Sequence, residues 1–227
     1  IGTDGLRLWA SSIDFSSEAI VSDNLIKNTQ ELFRKIRNTC RFLLSNLYDF
    51  DIDRDAASLE QMRTIDLHAL QELYEFDYSI LNSYDAYDFT AVFHKLADYC
   101  SVNLSSFYFE IVKDTLYVEK ADSSARRSVQ TACWYILDTL TRLMAPILSF
   151  TAEQVSDLYQ KNKTESIHLQ TFNKLQNIWE FLAQQQWVAH EFEVTQGITM
   201  EPVSHIERET HMRHMHELWD VLKMLRS

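Results

Sequence analysis

The chain has 227 residues, 46% hydrophobic and 12% aromatic, enough length and apolar content for a sizeable core and too much for a disordered chain. Three glycines and two prolines fall far below the usual ~7% and ~5%, which argues against a sandwich or barrel and for long helices. A net charge of −12 weighs against a nucleic-acid partner; no apolar run approaches the ~20 residues of a membrane span, and no signal peptide opens the sequence.

In chain order, Gly2 to Ser12 reads as a short helix with Leu6 and Trp9 on one side and Thr3 as candidate cap. Ile13 to Val21 is a connector. Ser22 caps a second helix reaching about Asn46, with Asp23 in its first turn. Its inward face is Leu25, Leu32, Phe33, Ile36, Cys40, Leu43, Leu44 and Leu47, and an acidic loop, Tyr48 to Ser58, follows. A third helix covers Leu59 to Tyr84, with Ile65, Leu70, Leu73, Ile80 and Leu81 inward. Asp88 caps a fourth, which reaches about Lys113 on a stripe of Phe89, Val92, Phe93, Leu96, Cys100, Leu104, Phe107 and Ile111. A polar entry then brings Arg126 and Arg127 onto the first turns of a fifth helix, which buries Ala132, Cys133, Ile136, Leu140, Leu143 and Met144. Pro146 ends or kinks it, and Thr151 restarts a sixth helix to about Tyr159, with Gln154 completing a capping box.

Short connections between long amphipathic helices predict an antiparallel all-α bundle. After Lys161 the pattern loosens into a less regular C-terminal appendage. KNKTES reads as a loop, IHLQTF as a short extended segment and Leu175 to Ala189 as a helix. HEFEVTQGITMEPV reads as a loop or small hairpin, and the closing helix starts near Ile206. A start at Ile1 and an uncapped stop at Ser227 mark a piece of a longer protein.

Cys40, Cys100 and Cys133 are odd in number and far apart, without a C-x-x-C pair, which predicts buried, reduced thiols and a cytoplasmic setting. Glu165 and His168 alone match the Glu-x-x-His spacing of di-metal bundles, too few ligands for such a site. His211 and His214 lack the carboxylate or cysteine that would complete a metal set and read as a solvated face. There is no P-loop, G-x-G-x-x-G or nucleophile elbow, and so no catalytic site. The aromatics Phe89, Phe93, Phe107 and Tyr108 fit core packing, while Tyr117 and Trp134 are candidates for stacking on unpaired bases.

Lys27, Arg34, Lys35, Arg37 and Arg41 gather on the second helix, interrupted only by Glu31. Two readings follow: a solvated face on a helical interaction scaffold, which the net charge favours, or a cationic patch for RNA. Local sign decides contacts inside a Debye length of ~10 Å. The scaffold reading requires these cations to be neutralised by neighbouring carboxylates.

FRKIRNTCRFLLSNLYDFD (Phe33 to Asp51), the run YDFTAVFHKLADYCSVNLSSFYFEIVKDTLYVEKADSSARRSVQT (Tyr87 to Thr131) and RLMAPILSFTAEQV resemble the anticodon-binding domain of bacterial-type isoleucyl-tRNA synthetases, of class Ia. GTDGLRLWASS and VSDNLIK resemble the segment joining that family's catalytic domain to its helical bundle, and ELWDVLKMLRS is a weaker match. Valyl and leucyl relatives share the bundle and the MAP corner, with poorer agreement elsewhere. The resemblance implies residues 1–21 as connector, 22–172 as anticodon-binding bundle and 173–227 as insertion and start of a truncated region. It implies a monomer that holds the isoleucine tRNA without a membrane, inside an enzyme that attaches isoleucine to its tRNA with ATP and Mg. The family's two ATP-binding signatures and its C-terminal zinc module are absent, so no cofactor is expected in this piece. Ser156 stands where the family usually has tryptophan. Lys35, Arg37, Asn38, Arg41, Lys113, Arg126 and Arg127 are the implied tRNA-binding residues: Asn38 at a base edge or ribose, the cations at phosphates.

Overall fold

The computed structural model describes residues 2–13, 22–172 and 175–184. The chain divides into two compact units, Ile1–Glu180 and Phe181–Ser227. In the second, residues 181–184 are helical. The first is all-helical among its described residues: α1 (Gly2–Ser11), α2 (Asp23–Asn46), α3 (Ile52–Asp55), α4 (Thr64–Asp85), α5 (Phe89–Asp98), a π-helical stretch (Tyr99–Tyr108), α6 (Phe109–Val118), α7 (Ser124–Met144) and α8 (Ser149–Tyr159). Short 3₁₀ turns cover Leu59–Gln61 and Ile167–Leu169.

α7 runs through the middle, packed on α4, α6, α8 and α2. Ser123 caps it, accepting from Arg126 N–H at 3.2 Å. The expected stripe is buried, and Ser128, Gln130, Thr131, Asp138 and Thr139 on its other faces are buried too. Buried polar groups need partners, and these have them. Fully buried Asp66 of α4 accepts from Ser128 Oγ (2.6 Å), Tyr108 hydroxyl (2.8 Å) and Arg63 Nε (2.9 Å). Asp138 accepts from Tyr159 hydroxyl (2.6 Å) and Arg142 Nε (3.0 Å).

Ser22 and Asp88 cap α2 and α5 as expected, accepting from Leu25 N–H (3.3 Å) and Ala91 N–H (2.9 Å). Leu25 itself is exposed because it lies in the first turn of α2, beyond the core. In α1, Leu8 is fully buried and Leu6 exposed, and Thr3 lies within the helix rather than capping it. The acidic loop contains α3, held by Asp51, which accepts from Asp53 N–H at 3.1 Å. The third expected helix starts later, at Thr64, after a 3₁₀ turn. IHLQTF holds a 3₁₀ turn instead of an extended segment, with Ser166 accepting from His168 N–H at 3.3 Å.

Val92, Leu96, Cys100, Leu104, Tyr108, Val112 and Leu116 recur every fourth residue and are all buried. In a pure α-helix each such step overshoots one turn by ~40°, and the row would wind off the core. The wider π turn absorbs the drift, with Ser105 Oγ and Ser106 Oγ donating to the carbonyls of Cys100 and Ser101, five residues back. From its end onward Tyr108 and Val112 point inward, the expected Phe107 is buried too, and Ile111 is only half-buried.

The proline corner is closed from far away in sequence. Asp4 accepts from Phe150 N–H (3.3 Å), Thr151 N–H (2.7 Å) and Thr151 Oγ1 (2.5 Å). Arg7 donates to the carbonyls of Ile147 (2.8 Å) and Pro146 (2.7 Å). α8 therefore starts at Ser149, capped by a carboxylate on α1, and Thr151 is helical rather than its cap. Among the described residues no helix is long and apolar enough to cross a membrane. The connector from residue 14 to 21, the proposed hairpin, the closing helix and the C-terminal histidines lie outside the described residues.

Candidate nucleic-acid interface

α2 places Gln30, Arg34, Arg37, Asn38, Arg41 and Ser45 on one outward face at steps of three and four, and Tyr48 follows just past its end. α8 faces them with Thr151, Gln154, Val155 and Leu158. Between the two helices lies a groove of about 1010 Å³, with Phe33, Cys40 and Leu44 among its apolar walls. Among the described residues lining it there is no aspartate or glutamate.

Arg34 is paired with Glu31 at 2.5 Å on the open surface, and its guanidinium holds the Glu31 carboxyl below the usual carboxylate range. Arg37 lies over the Phe33 ring, 5.7 Å from its centroid. Among the described residues neither Arg37 nor Arg41 is ion-paired with a carboxylate. The neutralisation that a scaffold face requires is therefore confined to Arg34. Exposed guanidiniums beside an apolar floor can hold phosphate oxygens by charge-assisted bonds while flat groups rest on that floor.

Of the residues expected to bind, Arg37, Asn38 and Arg41 come together in the groove. Lys35 is exposed, about 100° round α2 from Arg34, and does not line it. Lys113 sits on α6 in an ion pair with Glu110.

Expected to meet phosphates, Arg126 and Arg127 instead close on the connection between α2 and α3. Arg126 is only 7% exposed, and its Nη2 donates to Asp49 Oδ1 at 3.1 Å. Arg127 Nη1 donates to the Asp49 carbonyl (3.1 Å) and to Gln130 Oε1 (2.8 Å), and its guanidinium reaches within 3.9 Å of the Asp55 carboxylate. Gln130 Nε2 donates to the Asn46 carbonyl (2.9 Å) and to Asp49 Oδ1 (2.8 Å). The physical reason is proximity: the first turns of α7 lie against the acidic cluster that follows α2, and a buried guanidinium needs a carboxylate partner. These residues hold the far end of the groove, where Tyr48 stands, in place.

Beyond Tyr48 a second cavity of about 360 Å³ includes Trp134, Lys161 and Lys163. Lys161 donates to the Phe50 carbonyl (3.0 Å) and pairs with Asp51 (3.2 Å), while Lys163 bonds Glu153 (2.8 Å), Ser156 (2.7 Å) and Asp157 (2.5 Å). Trp134 is half-buried edge-on to Tyr159, 6.3 Å between centroids, whereas Tyr117 is exposed. Among the described residues no group of three or more His, Cys, Asp or Glu side chains is placed to hold a metal. Sequence patterning missed the α8 wall and Tyr48. An exposed aromatic at the end of a basic helix face was the one signal available for the latter.

A family model described as the anticodon-binding domain of tRNA ligase matches residues 66–221. The isoleucine–tRNA ligase of Carboxydothermus hydrogenoformans is 44% identical over 177 residues, 78% of this chain and 19% of that protein. The enzyme of the same name from Geobacillus thermodenitrificans is 42% identical over 171 residues, 74% of this chain and 18% of that protein. That from Erwinia tasmaniensis is 47% identical over 155 residues, 68% of this chain and 16% of that protein. The chain spans less than a fifth of the length of the curated relatives it matches. The family model covers residues 66–221, more than half of the chain, and the chain belongs to the family of anticodon-binding domains of tRNA ligases.

Proposed function

We propose that this chain is the tRNA-holding part of an isoleucine–tRNA ligase and that the α2–α8 groove is where it grips the anticodon arm. The observation that supports this is the groove itself: Arg37 and Arg41 open to solvent and no lining carboxylate among the described residues, on a chain with a net charge of −12. Arg37 and Arg41 hold phosphates, Asn38 reaches a base edge or ribose, and Lys35 adds longer-range attraction, while Lys113 is tied to Glu110 and supplies little net field. Arg126 and Arg127 serve by fixing the loop at the groove's end. The parent enzyme, a cytoplasmic monomer, joins isoleucine to its tRNA using ATP, with the chemistry outside this piece.

The test is a salt series of binding between the full chain and an isoleucine tRNA transcript, beside a non-cognate tRNA. Salt-dependent binding is expected, and Arg37→Ala with Arg41→Ala weakens it and flattens the slope of log affinity against log salt by about 0.7–0.9 per lost phosphate contact. Unchanged affinity and slope in the double variant would remove the groove from the interface. Cognate preference supports the isoleucine assignment, and equal binding to both tRNAs counts against specificity residing here.

A further inference from the structure

Tyr48 stands just past the C-terminus of α2 and is 75% exposed, although its neighbours Leu47 and Phe50 are buried. It is not a loose side chain on a free loop. The Arg126 guanidinium lies 5.9 Å from its ring centroid and covers one face, and that guanidinium is itself fixed by Asp49 at 3.1 Å. Asp49 is in turn held by Gln130, whose other bond reaches the Asn46 carbonyl at the end of α2. The ring is thus backed by a flat cation and presents its other face outward.

It also stands at a junction. Tyr48, Leu44 and Leu158 line both the arginine-bearing groove and the smaller cavity beyond it. Arg41, two turns back on the same face, offers a phosphate contact while the ring offers an apolar plane. On the groove side Tyr48 is a flat aromatic beside unpaired guanidiniums with no acid among the described lining residues, whereas Asp51, Asp53 and Glu165 line the smaller cavity. The groove side matches a polyanion that carries flat apolar groups. An acidic peptide would use the arginines and leave the ring idle.

Resting on the RNA reading above, we propose that Tyr48 is a stacking platform for one unpaired base of the bound RNA, with Arg126 as the positioning residue beneath it. Base–aromatic stacking tolerates any base, so Tyr48 fixes where an unpaired nucleotide sits and leaves sequence discrimination to hydrogen-bonding groups. The cation below holds the ring flat through cation–π attraction.

The test uses the full 227-residue chain and two probes: an RNA hairpin carrying 2-aminopurine at one loop position at a time, and a blunt duplex of the same stem. In the parental chain one loop position is quenched on binding. Tyr48→Ala abolishes that quench and weakens hairpin binding about tenfold to a hundredfold, with duplex affinity and salt slope unchanged. Tyr48→Phe stays within about twofold, because the hydroxyl is not needed for stacking. Arg126→Lys keeps the charge beside Asp49 but removes the flat guanidinium, so the quench weakens at the same position while the salt slope holds. If parental binding is salt-dependent but Tyr48→Ala leaves quench and affinity unaltered, Tyr48 is not the platform and the RNA reading stands. A quench that Arg126→Lys leaves untouched overturns the positioning role. If the parental chain binds neither probe at low salt, the RNA reading falls and the platform with it.

Discussion

The sharpest structural test concerns Asp4, a carboxylate on α1 that caps α8 across 147 residues of sequence. It accepts from two backbone N–H groups and one hydroxyl, and it is buried. Losing a capping acceptor costs ~0.5–2 kcal/mol, and losing a negative charge at a helix N-terminus a further ~0.3–1 kcal/mol. Because water reaches the site poorly, donors left unpaired cost ~1–3 kcal/mol each where they cannot rehydrate. Partial relaxation keeps the total below the sum, and Asp4→Ala is expected to cost about 2–4 kcal/mol. At ~2–4 °C per kcal/mol for a chain of this size, Tm falls by roughly 4–16 °C. Asp4→Asn retains one acceptor and should lose about half as much. Urea denaturation followed by circular dichroism gives the values, and amide exchange should accelerate first at Phe150 and Thr151. Thr151→Ala should cost about 1 kcal/mol alone and couple to Asp4→Ala by at least ~0.5 kcal/mol in a double-mutant cycle. Asp4→Ala within ~0.5 kcal/mol of the parent, with no coupling, would refute the capping argument. It would also detach α1 from the groove, because Thr151 is part of the wall that Asp4 holds.

Arg126→Ala removes the nearest cation of Asp49, which keeps some contact with water. The loss should be about 2–3 kcal/mol rather than the ~3–5 kcal/mol of a fully buried pair, while the RNA salt slope stays at the parental value; a flattened slope would place Arg126 on phosphate. Burial pushes the Cys40 thiol up to about 12, and the Cys100 and Cys133 thiols further. None of the three should react with iodoacetamide in the native chain at pH 8, and all should after urea; rapid native labelling would contradict the core described. Burial also lifts the Asp77 carboxyl to about 6, and its Oδ1 has no hydrogen-bond partner among the described residues. Its folded value exceeds the unfolded ~3.9, so its contribution is fully present below pH ~4 and lost as pH rises through about 6. Asp77→Asn should therefore raise Tm at pH 7, by the equivalent of about 1–3 kcal/mol, more than at pH 4; equal shifts at both would show that the carboxyl is not the cause.

The parts of the fold legible in the sequence were those governed by local chemistry. Ser22 and Asp88 cap helices because a short acceptor one residue before an apolar periodic run has few other uses. The α7 stripe and its proline corner were legible for the same reason. The start of α8 was not, because its cap is Asp4, and no local window contains both. Nor was the π stretch: a row repeating every fourth residue from Val92 to Leu116 is close enough to helical spacing to pass for an α-helix. Only the accumulated ~40° drift per step shows that the backbone must widen.

The candidate site divides along the same line. Arg37, Asn38 and Arg41 share one face of one helix, so their grouping follows from helical spacing alone. The opposite wall of the groove comes from α8, and the fate of Arg126 and Arg127 depends on aspartates more than 70 positions away. The conflict between the net charge and an RNA partner turns on where the charges lie. Arg126 and Arg127 are drawn inward by Asp49 and Asp55, tying α7 to the α2–α3 connection, while Arg63 and Arg142 pair within their own helix segments with Asp66 and Asp138. Each such pair sums to zero, so the remaining groups still carry the whole −12, and what matters at the groove is where they lie. The cations that remain outward on α2 set the local field within a Debye length of the groove. A chain at −12 can therefore present a positive strip where Arg37 and Arg41 face outward and no described lining residue is acidic.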